Sequence, residues 1–182
     1  MIPRRAALLL PLLATACGDM RAEPPARLPP GVVEGAGDPA RFAVETAAHA
    51  LLDRPQALRG DPRAAAFAVA MLEHATTAFQ DGRFPDGWHV TRLLREGRTA
   101  LRSAIGVRAE TSPQDAQDAF LAAAEALRRG NRGGADQALA AVSAPGARPL
   151  ATLATLDLPQ QTRRGLRETR EMIRRANNDG RA

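Results

Sequence analysis

The sequence predicts an all-α domain, on three observations. Helix-capping residues stand directly before prolines at three points in the chain, and apolar residues follow them at helical spacing. From residue 38 onward no alternating run of β-branched residues is long enough for a strand. The 182 residues, 45% of them hydrophobic, are sufficient for one domain with a buried core. We therefore expect a helical bundle or stacked helical hairpins, with about five or six helices.

The starts of several predicted helices are marked by capping residues. Asp38, Asp61 and Ser112 are each followed by a proline that suits the first helical position. Asp115 lies three residues after Ser112, which approximates a capping box. The predicted helices span residues 38–53, 61–80, 88–106, 112–129, 134–143 and 160–177.

The first three predicted helices each carry one apolar stripe at helical spacing, and these stripes form the candidate core. Their residues are Val44, Ala47, Ala48 and Leu51, then Ala68, Met71, Leu72, Ala75 and Phe79, then Val90, Leu93, Leu94, Gly97, Leu101 and Ile105. Many of these residues are Ala, and Gly97 has no side chain. We therefore expect close helix packing, with interaxial distances toward the short end of the roughly 8–10 Å range.

The first seventeen residues have the composition of an export signal. Arg4 and Arg5 precede a short apolar run, residues 6–13, and small residues follow it up to Cys17. This order is typical of a secretory signal peptide, here residues 1–16. The run is far shorter than the roughly 20 residues that span a membrane, and no later stretch approaches that length. We expect no transmembrane helix in the mature protein.

The stretch from Leu13 to Cys17 resembles the lipobox of bacterial lipoproteins, in which small residues precede a lipid-modified cysteine. Cys17 is the only cysteine. Lipidation explains both why it lies at this position and why the chain has no second cysteine to pair with it. The resemblance implies acylation of Cys17, as with palmitate, and a cell-envelope anchor facing the periplasm. In an envelope with two membranes, Gly18 rather than Asp after the cysteine favours the outer membrane over the inner. A soluble periplasmic protein is the alternative, and the paired arginines leave both Sec and twin-arginine export open.

Residues 17–37 are predicted to be a flexible, disordered tether between the lipid and the domain. Prolines and glycines are frequent there and large apolar side chains are few, which is the composition of a linker. The helical domain is then predicted to occupy residues 38–182.

Candidate catalytic and metal-binding residues are few. All 25 basic residues are arginines, which excludes every mechanism that needs a lysine. His49, His74 and His89 lack the local spacing of a metal site, and a ligand- or metal-binding bundle is an alternative only if the fold brings them together. Since no catalytic motif is present, we expect no enzyme, no cofactor and no metal. An enzyme with carboxylates in a cleft is a second alternative.

An aromatic loop precedes the third predicted helix. It contains Phe84 and Trp88, and Trp88 is the only Trp in the chain. An exposed Trp in a loop is suited to contact a partner. Burial of both rings over the end of the bundle is favoured, because a chain so poor in aromatic residues gains most by burying them.

The last predicted helix holds the charge asymmetry of the chain. Residues 159–182 carry seven Arg and three acids, whereas residues 17–158 carry sixteen Arg and seventeen acids. Spacings of four residues predict ion pairs, namely Arg164 with Glu168, Arg167 with Glu171, and Glu171 with Arg175. The arginines expected to face a partner are Arg163, Arg164, Arg167, Arg170 and Arg174. A solvated, salt-bridged surface helix is the competing interpretation.

Together, the export signal, the tether and the basic helix predict a membrane-tethered envelope lipoprotein that acts as a protein interaction or structural module. Its expected partner is an envelope protein or an anionic surface component. Nucleic acid is not expected, because the chain is exported and no aromatic platform accompanies the arginines.

Overall fold

The computed structural model describes residues 21–84 and 86–180, and these residues form an all-α fold. The helices in this part of the chain are α1 Pro30–Val33, α2 Pro39–Ala48, α3 Pro62–Ala78, α4 Gly87–Ile105, α5 Pro113–Arg128, α6 Arg132–Ala140, α7 Pro149–Ala154 and α8 Gln160–Asp179. A π-helical turn, His49–Asp53, continues α2, and a short 3₁₀ helix, Pro55–Leu58, follows it. No β-strand occurs within the described residues, so the predicted fold class is confirmed.

The proline-associated caps form as predicted. Asp38 accepts a hydrogen bond from the main-chain N–H of Ala40 at 2.8 Å, and Asp61 caps α3 in the same way at 2.9 Å. Ser112 Oγ accepts from the N–H of Asp115 at 3.1 Å, and its hydroxyl donates to the Asp115 carboxylate at 2.7 Å. These side chains satisfy first-turn donors that no helical carbonyl can reach.

Two short helices, α1 and α7, were not among the predicted helices. They have four and six residues, which is too short to show a helical period in the sequence. The first predicted helix also differs from the structure. Its regular α-helical part ends at Ala48, and the π-helical turn carries the chain on to Asp53.

Helix α3 lies at the centre of the domain, where α2, α4, α5 and α7 pack against it. From Ala65 to Thr77 every residue except Phe67 is buried, so α3 has no solvated face over these turns. Its many alanines allow neighbouring helices to approach from all sides. The polar side chains in these turns are buried with the rest, and each therefore needs a hydrogen-bonding partner inside the domain.

Helices α4 and α8 pack through two glycines. A Cβ at Gly97 would lie 2.8 Å from Thr162 Cα, and a Cβ at Gly165 would lie 2.7 Å from the Leu93 carbonyl oxygen. Both contacts involve main chain, which cannot move aside as a flexible side chain can. Thr162 Oγ1 also donates to the Gly97 carbonyl at 2.7 Å. The close approach expected at Gly97 is confirmed, and Gly165 is its counterpart on α8.

Candidate functional site

Residues 21–28, which we call the N-terminal segment, are non-helical and lie against the helical domain. Ala26 is only 4% exposed, and the main-chain N–H groups of Glu23, Ala26 and Arg27 donate to side chains of the domain. These residues, which belong to the predicted tether of residues 17–37, therefore contact the domain. Their proline-rich composition indicates a linker, but prolines also lower the entropy lost when a segment is held in place.

Two glutamines, Gln80 and Gln114, hold the main chain of the N-terminal segment. Gln80 Oε1 accepts from the N–H of Glu23 at 2.8 Å, and Gln80 Nε2 donates to the Glu23 carbonyl at 3.2 Å. Gln114 makes the same pair of bonds with Arg27, at 2.7 and 3.2 Å. Each side-chain amide bonds both the main-chain N–H and the main-chain carbonyl of one residue, as a neighbouring β-strand would. It therefore binds main chain rather than side chain. We call this pair the glutamine clasp.

Two further hydrogen bonds support the glutamine clasp. Thr77 Oγ1 accepts from the N–H of Ala26 at 3.0 Å, and Gln117 Nε2 donates to the Arg27 carbonyl at 2.7 Å. Polar side chains of α3, α5 and the residues after α3 thus satisfy main-chain groups that the contact removes from water.

Glu23 is the charged anchor of the N-terminal segment. Its two carboxylate oxygens accept from Arg98 Nη1 and Nη2 at 2.7 Å each, a bidentate contact, and Arg95 Nε lies 3.4 Å away. Partial burial would raise the pKa of Glu23, but the hydrogen bonds and charge of Arg98 outweigh it and lower the pKa overall. Helix α4 therefore binds the acidic side chain of the segment, while the clasp binds its main chain.

A second ion pair, between Glu73 of α3 and Arg102 of α4, lies inside the domain. Arg102 Nε and Nη2 donate to the two Glu73 oxygens at 2.7 Å each, and the side chains are only 6% and 2% exposed for Arg102 and Glu73. Burial raises the pKa of the Glu73 carboxyl, and the hydrogen bonds from Arg102 oppose that rise. Arg102 Nη1 also donates to the Thr111 carbonyl at 2.6 Å. The pair ties α3 to α4 directly behind the arginine that holds Glu23.

The sequence reasoning missed this network, although two signals were present. Arg95, Arg98 and Arg102 recur at helical spacing along α4, so they share one side of the helix. Glu73 stands in the middle of an otherwise apolar, alanine-rich helix, where a carboxylate needs a partner. Neither signal identifies the partner, because the pairs join residues that are far apart in the chain.

The three histidines lie apart. His49 and His89 are exposed, whereas His74 is 7% exposed and lies near Ala26 of the N-terminal segment. Burial lowers the pKa of His74, and its Nδ1 has no hydrogen-bond partner among the described residues. No group of three or more His, Cys, Asp or Glu side chains within residues 21–84 and 86–180 is placed to hold a metal ion. The fold thus does not bring the histidines together as the metal-binding alternative requires.

Helix α8 divides its arginines into two groups. Four of them pair with acids of the same chain: Arg163 with Asp157, Arg170 with Asp53, and both Arg174 and Arg175 with Glu171. Arg164 and Arg167 are exposed and form no salt bridge within the described residues. The predicted pairs of Arg164 with Glu168 and of Arg167 with Glu171 are therefore wrong. The predicted pair of Glu171 with Arg175 is confirmed, because Glu171 turns toward the arginines that follow it.

Phe84 and Trp88 have different environments. Phe84 is 5% exposed and packs edge-to-face on Phe79, with ring centroids 5.0 Å apart. Trp88 is 42% exposed in the first turn of α4. The expected burial is confirmed for Phe84, which therefore offers no surface to a partner. It is wrong for Trp88, because position 88 falls outside the buried stripe of α4.

Among the residues that the structure describes, no helix is both long enough and apolar enough to cross a membrane. Comparison with protein-family models, with curated proteins and with solved structures gives no match for this chain. Fold and site define the class of protein as an all-α domain that holds its own N-terminal segment across α3, α4 and α5.

Proposed function

We propose that the chain is a lipid-anchored cell-envelope module that binds an acidic partner protein through the exposed arginines of α8. In this proposal Cys17 carries the lipid, and the domain faces the periplasm from the outer membrane. Support for the anchor comes from the lipobox-like stretch from Leu13 to Cys17 and from the charged, short apolar run before it. These residues lie outside the described part of the structure. The proposal assigns the chain no catalytic role.

The observation that supports the partner surface is the difference among the arginines of α8. Arg163, Arg170, Arg174 and Arg175 already hold an acid of their own chain. A guanidinium without such an acid keeps its full charge and its planar set of donors for a carboxylate on another molecule. Within the described residues of α8, this leaves Arg164 and Arg167 as the arginines free to bind a partner.

The surroundings of these two arginines leave room for a partner. They line an open depression of about 860 Å³ together with Arg163, Glu168 and residues 157–161. The opposite side of α8 buries Leu166 and Ile173 in the core, so the arginines face outward on a helix that is fixed in place. An acidic surface on an envelope protein suits this arrangement, since exposed complementary charges increase the rate of association and select the partner.

The partner surface is tested by affinity capture from detergent-solubilised envelope, with the lipidated full-length chain as bait. The variant Arg164→Gln with Arg167→Gln should lower the affinity for a saturable partner by about tenfold at low salt and by less at high salt. The matched control is Arg128→Gln with Arg129→Gln, which removes the same charge from an exposed site where Glu125 pairs with both arginines. That control should bind as the unchanged chain does.

Two results would overturn the α8 surface. One is full retention of the partner by the variant at positions 164 and 167, and the other is an equal loss in the control. The anchor is tested separately by mass spectrometry of the mature N-terminus and by Cys17→Ser, which should move the protein out of the membrane fraction. A Cys17→Ser chain that stays in that fraction would show that the lipid anchor is wrong.

A further inference from the structure

Trp88 is the single exposed large hydrophobic side chain among the described residues. It shares one side of α4 with Arg92, Arg95 and Thr99, because these positions follow it by four, seven and eleven residues. We call these four residues the α4 stripe. Its amphipathic indole combined with guanidinium groups is the combination that proteins place at the boundary between lipid and water.

The N-terminal segment reaches the surface of the domain at the same stripe. Arg95 Nη1 donates to the carbonyl of Arg21 at 2.8 Å, and Arg95 Nη2 donates to Gln80 Oε1 at 2.6 Å. Arg95 thus joins the first described residue of the segment to the glutamine clasp. Arg21, which follows Cys17 by four residues, therefore lies next to the α4 stripe.

The distance between this point and Cys17 is short. Four peptide units separate Cys17 from Arg21, and a fully extended chain covers at most about 3.6 Å per residue, or about 14 Å in all. With the segment bound, a lipid on Cys17 leaves no room for a long spacer between the bilayer and the domain. The side of the domain next to Arg21 must then lie at the membrane surface.

We propose that the α4 stripe is a membrane-contact surface, which sets the indole of Trp88 into the headgroup layer of the phospholipid bilayer that holds Cys17. The inference rests on the lipid anchor of the proposed function and does not depend on the α8 surface. The exposed Arg21 lies beside Arg95, where its guanidinium can bind a lipid phosphate, whereas Arg92 already pairs with Glu96 of the same helix.

The α4 stripe and the packing contact with α8 occupy different faces of α4. Position 97, which packs against α8, is two residues from position 95 and therefore about 200° around α4. The stripe nevertheless adjoins the first turn of α8, because Gln161 lines one depression with Arg92, Arg95 and Thr99 and also lines the depression that holds the exposed arginines of α8.

The single Trp makes this inference measurable without a label. The chain has one Trp and no Tyr, so its emission at long excitation wavelengths reports on Trp88 alone. The lipidated full-length chain is reconstituted into phosphatidylcholine and phosphatidylglycerol vesicles, with either brominated or ordinary acyl chains. We expect Trp88 emission to be lower in the brominated vesicles, because bromine quenches indoles that lie close to it.

A matched probe and a release variant complete the experiment. In Trp88→Phe with Gln137→Trp, the only indole moves to an exposed position of α6, a helix that packs against α5 and α7, and its emission should be equal in both vesicles. In Glu23→Ala with Gln80→Ala, the segment loses its ion pair and half of its clasp. The chain between residue 17 and Ala26, which Thr77 still holds, can then extend to about 32 Å rather than about 14 Å, so the difference between the vesicles should shrink.

The outcomes separate this inference from the anchor itself. Protein that floats with the vesicles but shows equal Trp88 emission in both would overturn the membrane-contact surface and leave the anchor intact. Protein that does not float with the vesicles would overturn both. Quenching that persists in the release variant at its full extent would overturn the claim that the bound segment sets this face on the bilayer.

Discussion

The N-terminal region and helix α8 both depend on arginine, but in different ways. On α4, Arg98 and Arg102 are 9% and 5% exposed, and each makes a bidentate contact with an acid from another part of the chain. On α8, the pairs of Glu171 with the arginines after it are local and solvated. Solvated local pairs contribute little to stability, whereas buried pairs depend on both partners. Arg98 and Arg102 of α4 are therefore structural, whereas Arg164 and Arg167 of α8 form no salt bridge within the described residues.

Helix α8 is consequently held by its apolar edge and its close main-chain contact with α4 rather than by its charges. Leu166, Met172 and Ile173 are buried in the core, and Gly165 allows α8 to approach α4. Three predictions follow from this difference between the two regions. Each compares a variant in one region with a matched control variant whose stability or protection should change little.

The largest expected effect follows from Glu73→Ala. The substitution leaves Arg102 buried without its acid, so we expect a loss of about 3–5 kcal/mol in the free energy of unfolding. Urea denaturation followed by circular dichroism measures it. Glu171→Ala on α8 is the matched control, because it also removes a carboxylate that pairs with arginine. A similar loss for both substitutions would contradict the distinction between the two regions.

The second prediction concerns the contact between α4 and α8. In Gly97→Ala, a Cβ placed 2.8 Å from Thr162 Cα forces the helices apart, and we expect a loss of about 1–3 kcal/mol despite the better helix propensity of Ala. The same urea experiment measures it. Gly133→Ala is the control, since its Cβ would meet nothing closer than Asn131 Oδ1 at 3.8 Å. That variant should be as stable as the parent chain or more so, and a loss equal to that of Gly97→Ala would show that packing at Gly97 is not the cause.

The fold could be predicted from the sequence where the signals are local. The caps at Asp38, Asp61 and Ser112 and the apolar stripes identified the six longer helices, because each signal lies within a few turns of the chain. Gly97 also indicated close packing. The helices α1 and α7 were missed because they are too short to show a period.

The site could not be predicted, because it is built from long-range pairs. Glu23 and Arg98 are separated by 75 residues, and Arg27 and Gln114 by 87. A proline-rich segment has the same composition whether it is free or bound, and only the positions of Gln80 and Gln114 in the fold decide between the two. Trp88 was misjudged for a related reason, since its exposure depends on where α4 begins.

The smallest expected effect is a pH dependence of the N-terminal region that arises from His74. Burial lowers the pKa of His74 below its ordinary value of 6.5, and the side chain of Gln117, the main chain of Ala26 and the charge of Asp38 only partly oppose this. The unfolded chain therefore binds a proton more readily than the folded chain. The stability contributed by neutral His74 is complete above pH 6.5 and is lost as the pH falls from there toward the lowered pKa.

Three carboxylates of the two regions titrate below this window, whereas burial raises the pKa of Glu73 on α3. The pKa of Glu23 lies below its ordinary value of 4.5, and the pKa values of Glu171 and Asp53 at α8 are lowered as well. These carboxylates stay ionised while His74 takes up its proton. Acidification to about pH 5.5 should therefore weaken protection of the N-terminal segment before that of α8.

Hydrogen exchange, corrected for its intrinsic pH dependence, measures this order. Protection of residues 21–28 should fall between pH 7 and pH 5.5 in the unchanged chain and should be less sensitive in His74→Gln, because that variant has no proton to gain. His89→Gln, which changes an exposed histidine, should behave as the unchanged chain does. If α8 lost protection first, or if His74→Gln kept the full pH dependence, the buried histidine would not be the pH-sensitive group of this region. A loss confined to the segment would show that mild acid weakens the contact between the N-terminal segment and the domain while α8 stays folded.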